Sequence, residues 1–172
     1  MKRAPRKSSP RLPGYDYGLT AFYFITICTA NKALRFGAVV EGQMRLNAAG
    51  KLVNQAWRGL PNHYMGLRLD EFVVMPNHFH AIAILAGSDR LENLSLRKRH
   101  GLSEIIRGFK TWSARRVNEF EGRSGNALWQ RSFYDHIIRD EMDLQHIRDY
   151  IVNNPLKWDL DSENPSVFRA EP

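Results

Sequence analysis

Between Phe22 and Thr29 the chain reads FYFITICT, a run of aromatic and β-branched residues that predicts a strand buried on both faces or nearly so. Gly37 to Leu46 reads as the hairpin partner of that strand. The period then changes. Ala49, Leu52, Val53, Ala56, Trp57 and Leu60 recur at three-four spacing, the apolar stripe of a helix that Asn47 can cap and Pro61 closes. Leu67 to Met75 and Phe79 to Leu85 return to strand character, and the short Pro76-Asn77 link makes them an antiparallel pair. After a polar, Arg-rich stretch, Ser103 caps a helix with Ile105, Ile106, Phe109, Trp112, Val117 and Phe120 on roughly one face, ended by Gly122 and Gly125. Leu128 to Arg139 predicts another strand. Asp140 opens a last helix with Leu144, Ile147 and Ile151 inward, stopped at Asn154-Pro155. Strands interleaved with helices, with antiparallel hairpins among them, predict an α+β sandwich: one mainly antiparallel sheet with helices packed on it, in a ferredoxin-like arrangement.

At 172 residues the chain has the size of one domain and needs no disulfide or structural metal to bury a core. Its single cysteine, Cys28, excludes an intramolecular disulfide and suits a reducing compartment. No apolar run approaches the ~18 residues of a membrane span, so a soluble, cytoplasmic protein is expected. Charge narrows the partner. Lys and Arg total 25 against 18 Asp and Glu, a formal charge of +7, which predicts attraction to a polyanion, nucleic acid first. The basic residues form two clusters. Lys2, Arg3, Arg6 and Lys7 lie in a proline-interrupted arm without acids, expected to be disordered until it meets phosphate. Arg97, Lys98, Arg99, Arg107, Lys110 and Arg115 run into the third-quarter helix, facing only Glu104 as a counter-charge. These ten are the candidate contacts to a nucleic-acid backbone. Phe109, Trp112 and Trp129 are possible stacking platforms, although core packing explains each of them more simply. The end from Asp159 to Pro172 holds four acids and one Arg, so it is read as a loosely packed or disordered end that is not expected to bind phosphate.

His78-Phe79-His80 is the sharpest chemical signal, because a strand's period of two points both imidazoles from one face and Phe79 from the other. Two converging imidazoles suit a divalent metal but need a third ligand. Tyr150 and Asn154, four apart on the last helix, share a face that can supply an amide oxygen and a phenol nucleophile; His146 and Asp143 lie near the same stripe. The residues alone leave the bland alternatives open, with Tyr150 a rim residue and Asn154 an ordinary helix end. Asp135 and His136 are adjacent in a strand and point to opposite faces, Asp70 and Glu71 sit at a strand start, and Cys28 reads as a buried, inert thiol. There is no Gly-rich phosphate loop, GxSxG elbow or CxxC pair.

Met75-Pro76-Asn77-His78-Phe79-His80, then Trp129-Gln130 with Tyr134-Asp135-His136, then Tyr150-Ile151-Val152-Asn153-Asn154-Pro155 resemble, in order, the motifs of the REP-associated tyrosine transposases, a branch of the HUH single-strand DNA transposases. The resemblance covers residues 15–158, leaving 1–14 as a flexible basic arm and 159–172 as an acidic tail. It implies a ferredoxin-like sheet carrying His78 and His80 as metal ligands opposite a helix with Tyr150 as catalytic nucleophile. The third ligand of the family, Gln in many relatives, falls on Asn154, one methylene shorter in reach. The implied cofactor is Mg²⁺ or Mn²⁺. The implied activity is cleavage and rejoining of single-stranded DNA at REP-type hairpins through a 5′-phosphotyrosine, by a monomer associated with the nucleoid and not with a membrane. The alternative from another class is a catalytically silent protein that binds DNA hairpins.

Overall fold

The computed structural model describes residues 20–86 and 100–165, so the basic arm and the stretch holding Arg97, Lys98 and Arg99 lie outside the described residues. The central strand β1 (Ala21–Cys28) pairs antiparallel with β5 (His78–Leu85) on one side and β6 (Tyr134–Ile138) on the other. β4 (Leu67–Val74) completes the sheet beyond β5, giving the order β4-β5-β1-β6. Helix α1 (Ala48–Arg58) lies between β1 and β4 in the chain, and α2 (Leu102–Phe120) lies between β5 and β6. This β-α-β-β-α-β frame with β1 and β5 innermost is the ferredoxin-like sandwich expected from the pattern. A last helix, α3 (Glu141–Asn153), is added to the frame.

Several local expectations hold and others fail for identifiable reasons. Asn47 accepts from the Gly50 N–H and Asp140 from the Asp143 N–H, so both cap their helices as expected. Ser103 does not cap α2, whose N-cap is Gly101. Phe120, expected inward, is exposed in the last turn of α2. Gly37 to Leu46 is not the partner of β1. It folds on itself as β2 (Gly37–Val40) and β3 (Gln43–Leu46), closed by Glu41 and Gly42 with φ of 52° and 70°, the positive pair a two-residue hairpin requires. Both edges of β1 are taken by β5 and β6. The segment from Leu128 makes only a single bridge, Trp129 to Thr29, and becomes a strand at Tyr134.

The pleat of β5 divides the molecule. Phe79, Ala81 and Ala83 face the main core with Ile25, Ile27, Trp57 and Phe109, where α1 and α2 pack. Ile82 and Ile84 face the other way and meet Ile138, Leu144 and Ile151, which seats α3 on the second face of the sheet. His78 and His80 share that second face by the same alternation. α3 is further pinned by Arg148, which donates through Nε and Nη2 to the two carboxylate oxygens of Asp70 on β4, at 3.0 and 2.6 Å. Beyond Asn154 a 3₁₀ turn, Pro155–Leu160, leads the chain back toward β5. The described part of the acidic end is held at Glu163 and Asn164: Asn164 is buried, and the Asn77 amide donates to the Glu163 carbonyl at 2.7 Å, whereas Asp159 and Leu160 are exposed.

Candidate active site

The link between β4 and β5 builds the first half of the site. Asn77 is fully buried, and its Nδ2 donates to the carbonyls of Lys32 (3.2 Å) and Glu163 (2.7 Å), so its Oδ1 is left to face His78 Nδ1 at 3.0 Å. An amide oxygen only accepts, so His78 carries its proton on Nδ1 and presents a bare lone pair at Nε2. That Nε2 is buried with no hydrogen-bond partner. Burial holds the His78 pKa below the ordinary histidine value, partly opposed by the Asp161 carboxylate, which stands 3.7 Å from Nε2.

His80, one pleat on, has Nδ1 2.9 Å from Thr26 Oγ1 on β1 and Nε2 3.2 Å from the Tyr150 hydroxyl on α3. Its ring centre lies 4.6 Å from that of His78, and Phe24 stacks on it at 5.4 Å. Burial, followed by the neighbouring imidazole, pushes its pKa well below the ordinary value. With the proton on Nδ1 toward Thr26, the phenol donates to Nε2. Tyr150 is half-exposed on the solvent side, and burial with the charge of Asp161 raises its pKa, so the phenol is protonated at neutral pH.

Asn154 closes the site from the end of α3. It is almost wholly buried, yet its Oδ1 has no hydrogen-bond partner. Its amide raises the pKa of His78 and lowers that of Tyr150, which sets it beside both. A buried amide oxygen and a buried imidazole nitrogen left unpaired in one place would each cost about 1–3 kcal/mol unless something bound there satisfies them. The two imidazole nitrogens and one amide oxygen suit a divalent cation that takes mixed nitrogen and oxygen ligands, so His78, His80 and Asn154 fit a metal such as Mg²⁺ or Mn²⁺.

The model of the family described as "Transposase IS200 like" matches residues 53–154, a span that contains both histidines, Tyr150 and Asn154. The chain belongs to the IS200-like transposase family. A Haemophilus influenzae protein described only as "Uncharacterized protein" is 38% identical to this IS200-like chain over 170 residues, covering 90% of it and 91% of the relative. A second protein of that organism, provisionally named a REP-associated tyrosine transposase, is 31% identical over 85 residues, 49% of this chain and 47% of its own length. A solved structure described as the REP-associated tyrosine transposase bound to a REP hairpin superimposes with a TM-score of 0.57 at 22% identity, over 91% of this chain and 74% of that one, which bears on the fold.

The other candidates of this IS200-like chain lie apart from the histidines. Arg107 and Lys110 line a cavity of about 430 Å³ on the α2 side of the sheet, together with Arg131, Trp129 and Phe133. Lys110 Nζ is turned to the carbonyls of Gln130 and Arg131, at 2.6 and 2.9 Å, and Arg115 pairs with Glu119 on its own helix. Phe109 and Trp129 are core residues, and Trp112 is half-buried against His63. Asp143 is drawn away from Tyr150 to pair with His136 at 3.0 Å, and His146 is exposed. Asp135 faces the opposite side of the sheet from His136, as expected. The Cys28 thiol, pushed up to about 12 by burial and by Glu163, is inert. Sequence reasoning missed Thr26, Asn77 and Asp161. The quoted motif contains Asn77, but nothing in the spacing assigns Thr26 or Asp161 to the site, since neighbouring strands and a returning segment bring them there.

Proposed function

We propose that this IS200-like transposase is a metal-dependent tyrosine transposase that cleaves and rejoins single-stranded DNA at REP-type hairpins through a 5′-phosphotyrosine intermediate. The observation that carries the proposal is the meeting of the Tyr150 hydroxyl with His80 Nε2 at 3.2 Å, beside the unpaired His78 Nε2 and Asn154 Oδ1. His78, His80 and Asn154 would hold the metal, which when bound draws electron density from a phosphate oxygen and makes phosphorus more electrophilic. The roles of the chain's own groups follow from their surroundings. Asn77 and Thr26 fix the imidazole orientations from behind, as hydrogen-bonded supports do for metal-binding histidines. Tyr150 stays protonated until substrate arrives, because burial and Asp161 disfavour the phenolate.

In the reaction the Tyr150 oxygen attacks the scissile phosphorus, a P–O bond forms to the phenol, and the bond from phosphorus to the 3′ oxygen breaks. The phenol gives up its proton and the departing 3′ oxygen takes one, so the products are a tyrosine-linked 5′ phosphate and a free 3′-OH. One phosphodiester replaces another, and rejoining is the same step run backwards with no external energy source. Arg107 and Arg115 on α2, with Lys2, Arg3, Arg6, Lys7, Arg97, Lys98 and Arg99 from outside the described residues, are the proposed contacts to the DNA backbone. Lys110 adds its charge from the cavity wall. The REP-type hairpin as substrate is carried over from the named relative and from the hairpin-bound structure that shares this fold. Mg²⁺ or Mn²⁺ is the proposed ion, and a monomer the proposed acting form. Among the described residues no helix is long and apolar enough to cross a membrane, in keeping with a role on the nucleoid.

The test is to incubate the protein with a labelled single-stranded REP-type hairpin oligonucleotide and Mn²⁺ and to resolve the products on a denaturing gel. A covalent protein–DNA band that disappears in Tyr150→Phe is expected. A band of equal strength in Tyr150→Phe refutes the nucleophile, and a gel shift without any band across a panel of oligonucleotides leaves the binding-only function.

A further inference from the structure

The cavity on the α2 side of the sheet is lined by three cations and by no acid. Arg107 and Lys110 reach it from α2 and Arg131 from the segment before β6, while two acids of α2 are engaged elsewhere, Glu104 with His100 and Glu119 with Arg115. Positive groups gathered round one hollow repel one another, and an anion bound between them relieves that repulsion. The rest of the lining is largely apolar, with Phe133 half-buried against the main core beside Ile106 and Leu128. At about 430 Å³ the volume lies in the range of sites that take one small ligand. A ligand that suits both kinds of wall carries a flat ring and a phosphate, which is the chemistry of a nucleotide.

The wall is held in place by the protein itself. Lys110 Nζ donates to the Gln130 and Arg131 carbonyls, which fixes the backbone that carries Arg131 and Phe133 and leaves one of its three protons for an anion. Trp129, just upstream, is locked by its indole N–H on Ser113. Such a site has little ordering left to do when a ligand arrives. The cavity and Tyr150 lie on opposite faces of the sheet, and β6 links them. Tyr134 follows Phe133 by one residue and stands in register with Thr26, whose hydroxyl meets His80 Nδ1. β6 is an outer strand of the sheet, so a DNA strand passing round its edge runs from Phe133 on one face to His80 on the other, over the exposed Tyr134 ring.

We propose that this cavity is a second DNA subsite, which receives one unpaired nucleotide of the processed strand with its base on Phe133 and its phosphate between Arg107 and Arg131. The inference rests on the proposed function for the identity of the strand, and it goes beyond that reading by assigning a base-holding site to the face remote from Tyr150. Arg107 then contacts one particular phosphate and not the backbone at large, and Lys110 positions the wall. A base held at a fixed place sets which phosphate comes round the edge of β6 to Tyr150, so the cavity acts as the register mark for cleavage.

The experiment uses the full chain without metal, so that it reads binding and not cleavage. A REP-type hairpin oligonucleotide carries 2-aminopurine at one unpaired position at a time, and fluorescence and affinity are measured for wild type, Phe133→Leu, Arg131→Gln and Arg139→Gln, with a melting curve of each. One position should change its fluorescence strongly on binding to wild type, and that response should vanish in Phe133→Leu. Removing the base at that position should weaken binding by wild type at least about fivefold and leave Phe133→Leu unaffected. Arg131→Gln should reduce the salt dependence of binding by about one phosphate contact, while Arg139→Gln, beyond the far end of β6, should match wild type. Arg131 is exposed, so its variant tests the site even where Phe133→Leu lowers the melting point. Equal responses at all unpaired positions, or a response that persists in both Phe133→Leu and Arg131→Gln, overturn the inference. A free deoxynucleoside monophosphate that binds wild type and is not displaced by the oligonucleotide makes the cavity a site for a free nucleotide and also overturns it. A covalent adduct with Mn²⁺ but no base-specific response refutes the subsite alone, and a base-specific response without any adduct upholds the subsite and refutes the proposed chemistry.

Discussion

Replacing Asn77 with Ala removes three hydrogen bonds at once: two from Nδ2, to the Lys32 and Glu163 carbonyls, and one from His78 Nδ1 to Oδ1. Asn77 is fully buried, so neither carbonyl nor the imidazole N–H gains water in exchange without some opening of the turn. At about 0.5–1.5 kcal/mol for each net hydrogen bond, the loss sums to roughly 2–4 kcal/mol. The second effect is chemical. Without an obligate acceptor at Nδ1, the His78 proton is free to move to Nε2, and the lone pair that points toward Asp161 and Asn154 is no longer guaranteed. Asn77→Asp separates the two effects, because a carboxylate still accepts from Nδ1 but repels both carbonyls. Urea denaturation reads the first effect and the imidazole ¹⁵N shifts of His78 read the second. The reasoning is refuted if Asn77→Ala lies within about 0.5 kcal/mol of wild type and His78 keeps its proton on Nδ1.

Three further expectations follow from other contacts. The Arg148 guanidinium holds the Asp70 carboxyl below its ordinary value, so the pair contributes stability that is present at neutral pH and disappears as the pH falls through the acid range. Asp70→Asn should therefore destabilise by about 1 kcal/mol at pH 7 and by progressively less near pH 3 in urea titrations, given the partial exposure of the pair. Ser113 accepts from the Trp129 indole N–H at 2.9 Å in the core, so Ser113→Ala should cost about 1–3 kcal/mol in thermal or urea denaturation, and Ser113→Thr should not simply restore it because the added methyl meets a packed site. Excess EDTA should remove the covalent adduct while a native gel shift with the hairpin oligonucleotide survives, because phosphate contacts by the basic surface need no metal.

The sheet and its helices are legible in the sequence where one period runs long enough to dominate. β1 and the apolar stripe of α1 are examples, and so is the capping of α1 and α3 by Asn47 and Asp140. Gly37 to Leu46 misleads because ten residues of strand character do not reveal a reversal in the middle; only the positive φ values at Glu41 and Gly42 do. The two histidines are legible because a strand fixes their common face, and the Tyr150–Asn154 pair because a helix does. Which face of the sheet the helix covers depends on Ile82, Ile84, Leu144 and Ile151 meeting, a contact between segments about sixty residues apart. Thr26 meets His80 across 54 residues of chain, and Asp161 comes to His78 from farther still. No local pattern carries such a relation, and the acidity that made the end after Asp159 look detached is what gives Asp161 its place beside an imidazole.

The two halves of the site rest on footings of unequal strength. β5 is hydrogen-bonded along both edges, to β1 and to β4, and seven of its eight residues are buried, so the histidine strand has no edge open to solvent. α3 buries only Leu144 and Ile151 and is tied to the sheet by side chains at its surface, Arg148 to Asp70 and Asp143 to His136. In deuterium exchange, protection should therefore be deepest at His80 and its neighbours and much shallower around Tyr150. A tyrosine joined to a DNA end would then sit on the part of the molecule that detaches at the least energetic cost, while the imidazoles stay fixed in the part that opens last.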